Sequence, residues 1–261
     1  MSLFSDTMPK SAIISLSQLG AEPYASVVCY PRADPTEIQS RLLELQKLQI
    51  TFVAFSGKSS AHTLEILGKG YVGIVVTAYV SNQQFALKMQ RIDSERTSLE
   101  REAELLTMAN RVEVGPKFVA ATKHFLLMQL ITGNSIEHWL TTHQDKAAVH
   151  KVLTNILEQC WRLDEINLDH GELSKAPKHI LVDLADKPFI VDFETASTAR
   201  NASNVTSVCH FLFQGNSKVC QTIADIIGEQ NRDDLVVALR IYRKNRTRTN
   251  FETILKQTLH T

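Results

Sequence analysis

The sequence predicts an α+β fold of two lobes: an antiparallel β lobe carrying one main helix, then a minimal, mostly helical lobe, with a small β-α-β extension in front. Three observations lead there. Leu67 to Val75 reads LGKGYVGIV, a glycine-rich G-x-G-x-x-G-x-V loop set by Gly68, Gly70, Gly73 and Val75. The loop runs straight into Ile74, Val75, Val76, Thr77, Tyr79 and Val80, whose β-branched and aromatic side chains favour a strand. Far downstream, Val149, Val152, Leu153, Ile156, Leu157, Cys160 and Leu163 form the apolar stripe of a long helix over Lys146 to Asn167.

Residues 1–20 read as a mobile tail without the basic, long-apolar pattern of a secretory leader. Residues 21–62 read as the β-α-β extension. Its strands are Ser26 to Tyr30 and Ile50 to Phe55, and its helix runs from Pro35 to about Leu48. Asp34 is a good N-cap there, with Pro35 at the first helical position and Glu37 at the capping-box position. Ile38, Leu42, Leu45 and Leu48 make its inner face, expected to pack on the small lobe, and Gly57 to His62 reads as a linker.

The small lobe is expected over 63–131. A dinucleotide-binding domain uses the same glycine letters, but it needs a helix at the end of the loop and an acidic residue about 20 residues further on. Neither is present. Instead a hairpin turns at Ser81 and Asn82, and Phe85, Ala86, Leu87 and Lys88 form the returning strand. Glycine lets the backbone approach a triphosphate closely, and Lys88 would reach its phosphates as a point charge. Thr97-x-x-Glu100 then opens a helix with Leu99, Ala103, Leu106 and Ala109 on its apolar face. Glu100, Glu102 and Glu104 cluster on this helix, and the plain reading of the cluster is a solvated acidic face.

Val114-Gly115-Pro116 reads as a turn, followed by strands Phe118 to Ala121 and Phe125 to Ile131 and a short helix from Ser135 to Leu140. The helical lobe is expected over 132–261. Its long helix leads to a loop from Asp169 to Val182, containing His170, Gly171, Glu172, Lys175, Lys178 and His179. The segment is closed by IVDFE at Ile190 to Glu194.

Taken together, LGKGYVGIVV, ALKMQRIDSER, EAELLTMAN, VGPKF, HGELSKAPKHILV and VDFETAS resemble the RIO-like group of prokaryotic serine/threonine protein kinases, over roughly Leu64 to Phe213. The resemblance implies a protein-kinase-like fold that binds ATP and Mg2+. Gly68, Lys69, Gly70, Gly73 and Val75 would cover the nucleotide, and Lys88 held by Glu102 would fix its phosphates. Ala86, the gatekeeper Met128, Gln129 and Leu130 would meet the adenine, with Gly133 allowing the exit turn. Asp192 would bind the metal, Glu172 would position the acceptor hydroxyl, and His170 would brace the loop.

Three departures bear on activity. Glu172 stands where the family has the catalytic Asp, one methylene longer. The interval from Glu172 to His179 is longer than usual, and His179 takes the place of the second metal ligand, Asn, although magnesium prefers oxygen donors. Glu194 replaces the Gly of D-F-G and is expected to stiffen that turn. The sequence therefore supports three readings: an active serine/threonine kinase, a nucleotide-binding pseudokinase or ATPase scaffold, and a small-molecule kinase. The last is disfavoured by the short chain after Glu194.

Composition fits a globular chain, with 44% hydrophobic residues and 28 basic against 28 acidic side chains. That balance does not advertise nucleic-acid or membrane binding. The local exception is Arg240, Arg243, Lys244, Arg246 and Arg248, read as a solvated helix end or as a docking patch for an acidic partner such as nucleic acid. Cys29, Cys160, Cys209 and Cys220 lack metal or redox spacing and read as reduced thiols of a cytoplasmic protein. The protein substrate is not legible.

Overall fold

The computed structural model describes residues 12–96 and 98–259. The chain divides into two compact units, one holding residues up to Ala103 with Lys117–Leu130, the other Glu104–Pro116 with Ile131–Thr261. Segment 104–116 thus groups with the helical unit rather than with the small lobe, where the sequence placed it.

The first unit begins with strand β1 (Ala12–Ser15), then helices α1 (Tyr24–Val28) and α2 (Pro35–Lys47) and strand β2 (Phe52–Phe55). A short hairpin follows, β3 (Ser59–Ala61) with β4 (Leu64–Ile66), and then β5 (Gly68–Lys69), β6 (Gly73–Val80) and β7 (Gln83–Gln90). Helix α3 (Glu100–Arg111) belongs to both units by sequence, and β8 (Phe118–Ala121) and β9 (Phe125–Gln129) complete the first. One sheet runs in the order β1-β2-β6-β7-β9-β8, with β5 paired to β6, and all of its pairings are antiparallel.

Three expectations for this region are corrected, and a fourth lies outside the described residues. Residues 12–20 are not a tail: Ala12 to Ser15 pair with Phe55 to Phe52, and Leu19 is fully buried. Residues 1–11 lie outside the described residues. Ser26 to Tyr30 is not a strand, since Tyr24–Val28 is helical; a short apolar run between Pro23 and Pro31 suits either state, and packing against α2 selects helix. Gly57 to His62 is not a linker, because it contains β3 and a fully buried Ala61. Thr97 lies outside the described residues; the Ser98 hydroxyl accepts the Glu100 N–H at the start of α3.

Alternation along β6 and β7 sends Ile74, Val76, Ala78, Leu87 and Met89 to one face, where they form a single core with Leu19, Val27, Val28, Ile38, Leu45, Val53 and Phe55 of the extension. Polar ties lock the same interface. The buried Arg41 guanidinium of α2 donates to the Val28 and Gln90 carbonyls and pairs with Glu37, while His124 N–H and ring bond to Glu44. The extension is therefore one face of the small lobe's core rather than an appendage.

The second unit holds β10 (Gly133–Ser135), α4 (Ile136–Thr142), α5 (Lys146–Glu165), β11 (Ile180–Asp183) and β12 (Pro188–Ile190). Helices α6 (Asn204–Cys209), α7 (Lys218–Ile227), α8 (Arg232–Lys244) and α9 (Arg248–Leu259) follow. The seven stripe residues of α5 are all fully buried, as their spacing requires. Buried Asp164 at the end of α5 accepts hydrogen bonds from Asn204, from the Val205 N–H and from the Tyr242 hydroxyl, tying α5 to α6 and α8. Burial pushes its carboxyl up and these bonds oppose the rise. Gly133 is not an exit turn. It lies in β10, where a Cβ would stand 2.0 Å from the Val182 carbonyl, so the close strand approach is what demands glycine.

Candidate active site

Because the extension covers one face of the β6–β7 pair, the opposite face carries the residues that the sequence assigns to a nucleotide. Lys88 sits across from Val75, and Ala86 lies across from Met128 on β9. Lys88 Nζ reaches Glu102 Oε1 at 2.9 Å and Oε2 at 2.8 Å, with both side chains about 5% exposed. Helical rotation explains the choice: Ala103, Leu105 and Leu106 are buried beside Glu102, while Glu100 and Glu104 point to solvent. Gln129 gives its N–H to the Lys117 carbonyl, so that donor is already engaged.

The glycine loop is open. A Cβ built on Gly68 meets nothing within 4 Å, and one on Gly70 meets only the Gly73 carbonyl at 3.7 Å. Packing therefore does not demand glycine at either position. Room for a close-approaching ligand is the physical reason left.

In the second unit, three short segments converge. His170 is fully buried, its Nε2 donates to the Val191 carbonyl, and its ring meets Phe193 and His179 edge-on at 5.2 and 5.5 Å. Burial chiefly lowers its pKa to about 4, so it is a neutral brace. Gly171 follows at φ +90, where a Cβ would stand 2.6 Å from an Arg200 nitrogen. Glu172 is 39% exposed; the single Thr195 hydroxyl proton is shared between the His170 carbonyl at 2.9 Å and the Glu172 carboxylate at 3.3 Å. The residues lengthening the loop form a single turn at Leu173–Lys175 anchored by buried Ala176, and leave Lys175 and Lys178 in solvent. His179 is then fixed by its carbonyl, which accepts the Val191 N–H. Its Nε2 lies 3.7 Å from Glu172 and its Nδ1 3.9 Å from Asp192, so one imidazole stands between the two carboxylates.

Asp192 has φ +70, the left-handed region, and Glu194 does not. The unusual backbone thus falls two residues before Glu194, which takes an ordinary conformation.

Sequence reasoning missed Thr195, which supports Glu172, and Arg200, which ties Asp169 to the Thr195 carbonyl. Thr195 directly follows IVDFE, but only the fold shows whom it serves. It also missed how little of the basic cluster is free. Arg248 is bound to Glu158 and Glu252 and lies over Trp161 and Phe251, and Arg246 reaches Asn167. Arg240, Arg243 and Lys244 remain exposed.

A family model for the RIO domain matches residues 75–207, just over half of the chain. The chain belongs to the RIO domain family. No curated protein matches it. The RIO domain marks an atypical protein kinase or ATPase, consistent with the antiparallel β lobe and the helical unit. Among the described residues no helix is long and apolar enough to cross a membrane.

The RIO family implies ATP and a divalent cation, and the residues fit both. The open glycine loop beside the buried Lys88 suits a triphosphate. Asp192 and Glu194 offer carboxylate oxygens within 4.8 Å of one another, the donors magnesium prefers, whereas the His179 nitrogens do not.

Proposed function

We propose that this RIO protein is an ATP-dependent serine/threonine kinase that transfers the γ-phosphoryl group to a protein hydroxyl, its own included, with Mg2+. The observation that carries the reading is the buried pair of Lys88 on β7 with Glu102 on α3, with an open glycine loop beside the strand. Gly68, Lys69, Gly70, Gly73 and Val75 cover the nucleotide, Ala86, Met128, Gln129 and Leu130 border its base, and Lys88 holds its phosphates. Magnesium, when bound, neutralises charge on the phosphates. Asp192 holds it by a carboxylate oxygen. Glu172, kept in place by Thr195, orients the acceptor hydroxyl and takes its proton. His179 stands 3.7 and 3.9 Å from the two carboxylates, beyond hydrogen-bond reach, and its place at the second metal position leaves that position without an oxygen donor.

The same histidine favours a second reading, an ATP-binding scaffold or ATPase that transfers to no protein. Transfer of labelled γ-phosphate to the protein itself and to a basic substrate decides between them, with ATP binding followed in parallel. The kinase reading expects transfer in wild type and its loss in Lys88→Met, Glu172→Gln and Asp192→Asn. Binding without transfer in wild type would overturn it in favour of the scaffold.

A further inference from the structure

The glycine loop is held from behind by two residues that none of the roles above uses. Arg91, three residues beyond Lys88, grips the loop twice. Its N–H donates to the Val72 carbonyl at 2.8 Å, and its Nη1 donates to the Gly70 carbonyl at 3.0 Å. The guanidinium is fixed by a fork to Asp93 at 2.7 and 2.8 Å and by lying 5.1 Å from the Tyr30 ring centroid. Tyr30 belongs to the extension, directly after α1, and its carbonyl accepts the Ile92 N–H at 2.9 Å. The same ring takes Lys69 Nζ of the loop at 5.5 Å and meets the His62 ring at 5.2 Å, tilted by 43°. One aromatic ring therefore gathers a cation from the loop and the cation that holds the loop.

The consequence follows from the peptide plane. In a trans peptide the C=O and the next N–H point in opposite directions. With the Gly70 carbonyl turned to Arg91, the Tyr71 N–H is turned away from it. The loop also closes on itself through the Gly70 N–H to the Gly73 carbonyl at 2.8 Å. Gly70 alone would rotate freely, because only the Gly73 carbonyl, at 3.7 Å, stands near its Cβ position.

We propose that Tyr30 and Arg91 are positioning residues for the nucleotide. The extension, through the Tyr30 ring, sets the Arg91 guanidinium, which fixes the Gly70–Tyr71 peptide so that the Tyr71 N–H donates to a phosphate oxygen. The donation step rests on the nucleotide-binding reading given above; the clamp on the loop does not. Tyr30, Lys69 and Gly70 all precede the RIO-matched segment, which starts at residue 75. The extension thus acts on the loop as well as filling the back of the sheet.

The test compares Tyr30→Ala, Tyr30→Phe and Arg91→Lys with wild type by hydrogen exchange of the Gly70 and Arg91 amides without nucleotide, and by MgATP titration. Tyr30→Ala and Arg91→Lys are expected to speed exchange at these amides by about threefold to tenfold, the scale of one lost cation–π contact or hydrogen bond. Exchange in α5 and β9 stays unchanged, and MgATP binding weakens by a similar factor. Tyr30→Phe, which keeps the ring face, behaves as wild type. Wild-type exchange at Gly70 in a folded Tyr30→Ala protein would overturn the clamp. Where Tyr30→Ala does not fold, Arg91→Lys decides by the same readout, since it leaves the ring in place. Faster exchange with unchanged MgATP affinity would overturn the positioning role. A wild type that binds no nucleotide defeats the kinase reading and the phosphate contact together, while apo exchange still decides whether the clamp exists.

Discussion

Lowering the pH from about 7.5 to about 5 isolates the buried brace His170. Burial holds its pKa at about 4 against an ordinary 6.5, because the charged imidazolium would have to leave water. The folded value lies below the unfolded one, so between them the unfolded chain binds the extra proton. The stabilisation is fully present above 6.5 and is lost as pH falls towards 4. A tenfold change in proton affinity is worth about 1.4 kcal/mol, so the whole drop corresponds to about 3 kcal/mol, of which about 2 kcal/mol has gone by pH 5. Urea unfolding of wild type and His170→Gln, without divalent metal, measures it. The variant is expected to be less stable near pH 7.5, having lost its contacts with Phe193 and His179, yet to fall by about 2 kcal/mol less on acidification. Parallel pH curves for the two proteins would refute the assignment, because the remaining titrating groups are common to both.

Three further perturbations test other parts of the structure. Glu102→Leu removes the carboxylate paired with buried Lys88 and is expected to cost about 3 kcal/mol, and Lys88→Met/Glu102→Leu to show at least about 1 kcal/mol of coupling in a urea double-mutant cycle with the two single variants; additive losses would deny the coupling. Gly133→Ala drives a methyl into the Val182 carbonyl and is expected to lower stability by about 1–3 kcal/mol, so an unchanged melting temperature would contradict the β10–β11 geometry. His179→Asn supplies the oxygen donor that magnesium prefers and is expected to tighten the magnesium dependence of phosphoryl transfer by about tenfold; weaker dependence would give the imidazole a positive role there.

Much of this was legible in order and spacing. The glycine loop, the strand that follows it, Lys88, the helix bearing Glu102 and the stripe of α5 each carry a local signature, and the antiparallel β lobe with its helical unit followed from them. The misreadings fall where local signals are weak. The apolar run at Ser26 to Tyr30 suits helix or strand, and only packing against α2 made it helical. The strand Ala12–Ser15 is short, and only its pairing with β2 gives it order.

Hydrophobic period and glycine placement, which are properties of neighbouring residues, marked the longer elements and the chemical groups they carry. Tertiary structure alone decided which groups serve one another. Thr195 meets Glu172, His179 stands between Glu172 and Asp192, and Tyr30 with Arg91 holds the Gly70 carbonyl. Residues so far apart in the chain are brought together only when the burial of shared apolar faces repays the entropy of closing the loops between them, and no local pattern records that outcome.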